Sequence, residues 1–207
     1  MKKLFSFIAA CLLAVPTFAQ FSSGGFSIDE EHTYWGIRLG VAFGGIGGDV
    51  EAEDGRTGMT LAGIVGLRVS ETAPVFLETG LYYTERGGDK LKADGQALGD
   101  HDGHLNYLEA PLLIKYGFGL ENEVAVLPFL GPYVGMGISG NYKFLNHPEM
   151  GFKLGCGFEW SNLYAELAYQ FGVTNLADGD EVKKVVSSMN SASSHGHALC
   201  FNIGINF

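Results

Sequence analysis

Residues 199–207 read Leu199-Cys200-Phe201-Asn202-Ile203-Gly204-Ile205-Asn206-Phe207, and this stretch decides the fold. Every second residue is large and apolar, and the residues between them are small or polar. Because successive side chains of a β-strand point to opposite faces, the alternation predicts a strand with one apolar face. The same pattern recurs in seven other stretches, so the chain is predicted to be all-β.

Each alternating stretch is long enough to cross a bilayer as a tilted strand, which takes about 9 to 11 residues. The predicted strands are Thr33 to Phe43, Met59 to Ser70, Val75 to Glu85, Leu105 to Phe118, Val124 to Ser139, Met150 to Glu159, Leu163 to Phe171 and Ala198 to Phe207.

Long polar connections and tight turns join these strands in strict alternation. The long connections cover residues 44–58, 86–104, 140–149 and 172–197, and the tight ones cover 71–74, 119–123 and 160–162. This is expected when one rim of a barrel faces the outside and the other faces the periplasm. We therefore predict an eight-stranded antiparallel transmembrane up-and-down β-barrel in a bacterial outer membrane.

The amino terminus predicts export. The basic pair Lys2-Lys3 precedes an apolar run over residues 4–15, and Thr17-Phe18-Ala19 supplies small residues at the cleavage positions. Ile8-Ala9-Ala10-Cys11 resembles a lipobox, but the apolar run continues past Cys11, which favours the cleaved signal. The predicted division is a signal peptide over 1–19, a short periplasmic segment over 20–32 and the barrel over 33–207.

The charge balance limits the partners. The chain holds 13 basic and 23 acidic residues, and removal of the two lysines in the predicted signal leaves 11 against 23, a net charge of −12. An acidic excess of this size argues against nucleic acid as a partner. No later apolar run is long enough for a spanning helix of about 20 residues, so insertion must use strands. We expect outer-membrane lipid as a partner and no cofactor.

Alternation alone leaves open a soluble lipocalin-like barrel, in which the apolar face would surround a ligand. The other face favours the membrane barrel, because a water-exposed face would carry many lysines, glutamates and threonines. Here it is rich in glycine, which suits a crowded lumen. Five tyrosines on this face are predicted to fill the lumen and to exclude a diffusion pore. They are Tyr34, Tyr82, Tyr107, Tyr133 and Tyr164.

Charges of both signs lie on the same face, and a narrow interior accommodates them by pairing. The predicted lumen ion network consists of Arg38, Arg68, Lys115 and Lys153 with Glu78, Glu109, Glu159 and Glu166. Counting from the tight turn at 71–74 places Arg68 almost opposite Glu78, with Lys115 on the other side. The sequence thus predicts one carboxylate between two cations near the end of the barrel that carries the tight turns.

Three stretches carry a family resemblance. They are His104-Leu105-Asn106-Tyr107-Leu108-Glu109-Ala110-Pro111-Leu112-Leu113-Ile114-Lys115-Tyr116, then Gly80-Leu81-Tyr82-Tyr83 followed by Arg86-Gly87-Gly88, and Leu163 to Tyr169 leading to Phe171-Gly172-Val173-Thr174-Asn175. The first resembles the strand signature of the PorT-like outer-membrane β-barrel family of Bacteroidetes, and the others agree with it. The resemblance implies an eight-stranded barrel. It also implies that Phe207 acts as the aromatic assembly signal read by the barrel-assembly machinery, and that envelope or secretion proteins are candidate partners.

We predict from these features a non-enzymatic integral outer-membrane barrel whose extracellular loops have a structural or binding role. The alternative is an accessory component of a protein secretion or envelope-assembly machine. A lipid-modifying enzyme is a third hypothesis, since the serine-rich run 187–194 and His195 supply suitable residue types, but no nucleophile stands in a structured elbow.

Loop histidines are candidate metal ligands. His101 and His104 precede the fourth predicted strand, and His195 and His197 precede the eighth, so all four could gather on the outer rim. Imidazoles are common ligands of zinc and other transition metals. The alternative is that these histidines are solvated loop residues without a metal.

Overall fold

A computed structural model describes residues 33–93, 96–97, 103–120, 124–140, 148–176 and 193–207. Its long strands are β1 Thr33–Gly48, β2 Val50–Arg68, β3 Val75–Ala93, β4 Gly103–Tyr116, β5 Val124–Gly140, β6 Pro148–Trp160, β7 Leu163–Gly172 and β8 Ser194–Asn206. Two short strands, Gln96–Ala97 and Phe118–Gly119, pair with β3 and β5. In this part of the chain no helix is long and apolar enough to cross a membrane.

The eight long strands close into a barrel. Each pairs antiparallel with its neighbours in the chain, and β1 pairs with β8 from Gly36 opposite Asn206 to Gly48 opposite Ser194. The prediction of an eight-stranded antiparallel up-and-down barrel is confirmed. We call the rim formed by the connections after β2, β4 and β6 the short-turn rim, and the opposite one the long-loop rim.

All eight long strands run further toward the long-loop rim than the sequence predicts, and β1, β2 and β3 do so by five residues or more. Residues 44–58 were expected to form a loop, but β1 continues to Gly48 and β2 starts at Val50, and β3 extends to Ala93 instead of Glu85. The reason is that backbone hydrogen bonds between paired strands continue beyond the membrane, where the strands need no apolar face and the alternation no longer marks them. Most of the predicted loops over 140–149 and 172–197 lies outside the described residues.

The barrel is apolar outside and polar inside. On β8, Phe201 and Ile203 expose 47% and 54% of their surfaces, whereas the intervening Asn202 exposes 1%. Bulky aromatics near the strand ends, such as Trp35 and Trp160, are also more than half exposed. A water-soluble lipocalin-like barrel would show the reverse distribution. A closed barrel with an apolar outer belt spans a lipid bilayer, so the chain is an integral protein of the bacterial outer membrane that crosses it with β-strands.

Apolar and ionic layers alternate along the lumen. Near the short-turn rim, Phe76 and Leu127 are completely buried in an apolar floor. A second apolar layer in the middle includes Leu113 and Phe129. At the long-loop end Leu176, from the segment after β7, is 1% exposed. Charged side chains occupy the levels between these layers.

Candidate functional site

The first ionic group, the Glu78 cluster, consists of Glu78, Arg38 and Lys115. The Lys115 Nζ lies 2.8 Å from Glu78 Oε1, and Arg38 Nη2 lies 3.5 Å from Glu78 Oε2. The Tyr34 hydroxyl donates a hydrogen bond of 2.8 Å to Glu78 Oε2. All three charged side chains are about 1% exposed or less. One buried carboxylate is therefore shared by two cations.

Neighbouring strands extend the Glu78 cluster toward β6 and β8. The Arg38 guanidinium lies 3.7 Å above the centre of the Tyr164 ring and donates a 2.7 Å hydrogen bond to Asn206 Oδ1. The Asn206 amide in turn donates to Glu159 Oε2 at 2.8 Å. Asn206 thus links an arginine on β1 to a glutamate on β6. This polar chain lies where the first strand closes on the last.

A separate ion pair joins Lys153 on β6 to Glu166 on β7, with 3.5 Å between Nζ and Oε1. Glu166 also accepts hydrogen bonds from the Asn202 amide at 2.8 Å and the Tyr164 hydroxyl at 3.2 Å. The Thr60 hydroxyl donates to the Asn202 side-chain oxygen. The carboxylate therefore has several donors, as a buried charge requires.

The second ionic group, the Arg86 cluster, consists of Arg86, Glu109 and Glu149. The Arg86 Nη2 lies 3.1 Å from Glu109 Oε1 and 2.5 Å from Glu149 Oε2. The guanidinium carbon lies 4.1 Å from the centre of the Tyr107 ring, and the Tyr133 hydroxyl donates to Glu149 Oε1 at 2.7 Å. Here one buried cation is shared by two carboxylates.

Arg86 and Glu149 are lumen residues that the sequence did not predict, because both fall inside the stretches 86–104 and 140–149 predicted as loops. Their positions nevertheless continue the lumen phase of their strands: Arg86 is eight residues after Glu78, and Glu149 is four residues before Lys153. An even spacing keeps a residue on the same face of a strand. The two-residue alternation of lumen positions could therefore have been continued past the last large apolar residues of each strand, and it would have identified both residues.

An apolar lid covers the Arg86 cluster at the long-loop end. Leu176, Ile46 and Leu105 are each at most 4% exposed and surround a space of about 10 Å³ beside Arg86 and Glu149. The Leu176 amide donates to the Ser194 carbonyl at 2.8 Å, which fastens the segment after β7 to β8. A space of this size is at the lower limit for a single water molecule.

The predicted place of Arg68 is wrong. The register pairs Arg68 with Phe76 and pairs Glu78 with Gly66, so Arg68 lies two residues nearer the rim than Glu78. Its Nε donates to the Ser70 carbonyl at 2.9 Å in the turn after β2. Counting from the turn ignored the bend of residues 69–74, and Arg38 takes the predicted position beside Glu78.

The candidate metal ligands that the structure describes are divided between two sides of the barrel. His195 and His197 lie on the outer face of β8, and the backbone of His104 lies on β4. In the strand order three strands separate β4 from β8 in either direction, so they occupy opposite sides of the barrel. His101 lies outside the described residues, as do residues 177–192 with most of the serine-rich run. Within the described ranges no three His, Cys, Asp or Glu side chains are grouped to hold a metal.

Phe207 lies directly beside the first strand. Its ring stacks on Trp35 with 4.5 Å between ring centres, and its backbone exchanges hydrogen bonds of 2.9 and 2.7 Å with that of Trp35. This pair closes the ladder between β1 and the end of β8 at the short-turn rim. The role of Phe207 as an assembly signal stays a prediction.

Comparison with known proteins identifies the fold. No protein-family model matches the sequence, and no curated protein matches it. Among solved structures, a major outer membrane protein from Thermus thermophilus superposes with a TM-score of 0.50 at 14% identity, covering 84% of this chain and 99% of that chain. The similarity to this protein supports the barrel fold and carries no statement about function.

Two other solved barrels are similar at lower scores. Neisserial surface protein A gives a TM-score of 0.47 at 13% identity, covering 84% of this chain and 97% of its own. Ail, the attachment invasion locus protein of Yersinia pestis, gives 0.44 at 11% identity, covering 85% of this chain and 99% of its own.

Proposed function

We propose that this chain is a non-enzymatic outer-membrane barrel that serves as a rigid anchor and presents its long-loop rim to the exterior. The observation that carries the proposal is the filled lumen. Two ionic clusters lie between an apolar floor at Phe76 and an apolar lid at Leu176, and the inward tyrosines occupy the levels between them. A barrel built in this way uses its interior for stability and leaves its rims for binding.

The arrangement of reactive side chains also favours a non-enzymatic role. Ser194 is completely buried on the lumen side, whereas the adjacent His195 lies on the outer face, so the two cannot act as nucleophile and base. The Cys200 thiol is buried and donates to Gln170 Oε1 at 3.1 Å. These candidate nucleophiles are thus directed into the packed interior instead of toward a substrate.

The orientation and processing of the chain belong to the same proposal. We place the short-turn rim in the periplasm and the long-loop rim outside, with residues 1–19 removed as a signal peptide and residues 20–32 in the periplasm. The PorT-like resemblance of the stretch from His104 to Tyr116 supports membership of that family. Protease added to whole cells should then cut between residues 172 and 197 and spare the turn at 71–74.

Planar-bilayer recording tests the filled lumen. We expect the purified protein to show no sustained porin-like conductance, because packed side chains occupy the described lumen from the floor to the lid. Pull-down of the detergent-solubilised protein from its native envelope then tests the anchor role. A stoichiometric envelope partner would favour the accessory-subunit alternative, and steady large currents would contradict the proposal.

A further inference from the structure

The space beneath the apolar lid is polar on one side and apolar on the other. Arg86 and Glu149 line it from the lumen, and Ile46 and Leu176 of the lid close it. Its volume of about 10 Å³ is close to that of one water-sized sphere. Cavities lined only by apolar groups stay empty, whereas a polar cavity holds water where it offers two or more hydrogen-bonding partners. The lining of this space is therefore decisive.

Arg86 has hydrogen-bond donors that the carboxylates of its cluster do not use. Both carboxylates meet the Nη2 atom, Glu109 at 3.1 Å and Glu149 at 2.5 Å. The Nε and Nη1 atoms are buried and have no hydrogen-bond partner within the part of the chain that the structure describes. Both carry N–H groups, and an unpaired buried donor is costly in free energy. These donors therefore require an acceptor that the described side chains do not supply.

Glu149 supplies an acceptor on the same space. Its Oε1 accepts from the Tyr133 hydroxyl at 2.7 Å, and its Oε2 accepts from Arg86. A carboxylate has about four lone-pair sites, so acceptor capacity remains. An anion in this space would lie against carboxylates, and a cation would lie against the guanidinium. A small neutral molecule that both accepts and donates hydrogen bonds matches the site best.

Gly196 keeps the space open. A Cβ atom added to this glycine would lie 3.1 Å from Glu149 Oε1 and 3.2 Å from Leu176 Cδ1. Because Gly196 lines the space, this Cβ would occupy volume between the carboxylate and the lid. The φ angle of Gly196 is not in the left-handed region, so its backbone does not require glycine. The missing side chain is what the space depends on.

We propose that this space is the binding site of one structural water molecule. The water accepts a hydrogen bond from the unused donors of Arg86 and donates one to the Glu149 carboxylate. It completes the Arg86 cluster, and Leu176 separates it from bulk solvent, so it exchanges slowly. The site depends only on contacts within the described lumen and holds for either orientation of the barrel in the membrane.

Magnetic relaxation dispersion of the water oxygen counts long-lived water molecules, and it can be applied to the barrel in detergent micelles. Gly196→Ala should lower the count by one, because the added methyl group takes the volume of the water. Gly135→Ala is the matched control, since its Cβ would lie 3.4 Å from Tyr107 Cδ1 and 3.9 Å from Arg86 Nη2 without lining the space. We expect the control to keep the count of the unmodified protein. Migration on unheated gels confirms that each variant is a folded barrel.

A second measurement uses the unmodified protein alone. In rotating-frame Overhauser spectra, a dipolar contact with water and chemical exchange with water give cross-peaks of opposite sign. The amide protons of Gly87 and Gly196, which line the space, should show dipolar cross-peaks to water. The amide proton of Leu113, in the middle apolar layer, should show none.

Equal counts of long-lived water in the unmodified protein and in Gly196→Ala would overturn the proposal, and so would an equal loss in Gly135→Ala. The absence of dipolar cross-peaks at both glycines would do the same. Neither measurement depends on channel conductance or on an envelope partner, so failure of this proposal and failure of the proposed function are distinguishable.

Discussion

The Glu78 cluster and the Arg86 cluster are electrostatic opposites within one lumen. Glu78 is one carboxylate between two cations, and Arg86 is one cation between two carboxylates. Removal of either central charge leaves two like charges facing each other in a buried space. The central residue therefore determines what each cluster contributes to stability, because its loss leaves two like charges repelling each other as well as removing their attraction to it.

The largest effect is expected from Arg86→Met. Glu109 and Glu149 would remain buried without a cation, and the contact with the Tyr107 ring would be lost as well. We expect a loss of about 5 kcal/mol in the free energy of unfolding, the upper end for a broken buried ion pair. Urea unfolding of the barrel in lipid vesicles measures it. A loss below about 1 kcal/mol would show that water reaches both carboxylates and compensates them.

Glu78→Gln is expected to cost less, about 3 kcal/mol. The glutamine oxygen still accepts from the Tyr34 hydroxyl. The two cations also keep other acceptors, since Arg38 donates to Asn206 at 2.7 Å and Lys115 donates to the Tyr164 hydroxyl at 2.8 Å. The same urea series gives the value. If Glu78→Gln cost more than Arg86→Met, the contrast between the two clusters would be reversed and the explanation abandoned.

A double-mutant cycle tests which residues belong to the Glu78 cluster. Glu78→Gln combined with Lys115→Met should show an interaction energy of about 1 to 3 kcal/mol, because the two charged atoms are in contact. Glu78→Gln combined with Arg68→Met should be additive within about 0.5 kcal/mol. Additivity in the first pair would contradict the register of β3 and β4. Coupling in the second would restore Arg68 to the cluster.

The smallest effect is expected from Arg68→Met alone. Its guanidinium is half-buried at the rim and donates to the Ser70 carbonyl, so its replacement should change stability by no more than about 0.5 kcal/mol. It is the matched control for Arg86→Met, with the same substitution outside both clusters. A loss approaching that of Arg86→Met would mean that the rim is as dry as the lumen.

The two clusters also differ in how far the sequence predicted them. Glu78 and Lys115 lie within strands that carry an apolar outer stripe, and the stripe assigns both to the lumen. Arg86 and Glu149 lie beyond the ends of the stripes, among glycines and charges that are typical of loops. The apolar pattern marks only the part of a strand that touches lipid, and the backbone ladder continues past it.

The alternation of apolar and polar residues within each strand was sufficient to predict the number of strands, the face on which each residue lies and the closed barrel. The period of two is a property of each strand alone, so Phe201 faces lipid and Asn202 faces the lumen whatever the neighbouring strands are. The alternation also predicted that the apolar face lies outside. Glycines and charges occupy one face of each strand and fill the lumen, so the large apolar residues on the other face must contact the bilayer.

Only the tertiary structure decided which lumen residues meet across strands that are not neighbours. Closure of a barrel staggers its strands, so contacts across the lumen depend on the register of every strand between them. That stagger brings Arg38 to Glu78 in place of Arg68, and it joins Arg86 to Glu149 across 63 residues of chain. A pattern within one strand carries no information about the stagger of the others. This is the physical reason that the lumen residues and the contact of Glu78 with Lys115 on the adjacent strand were predictable, whereas the contacts of Glu78 with Arg38 and of Arg86 with Glu149 were not.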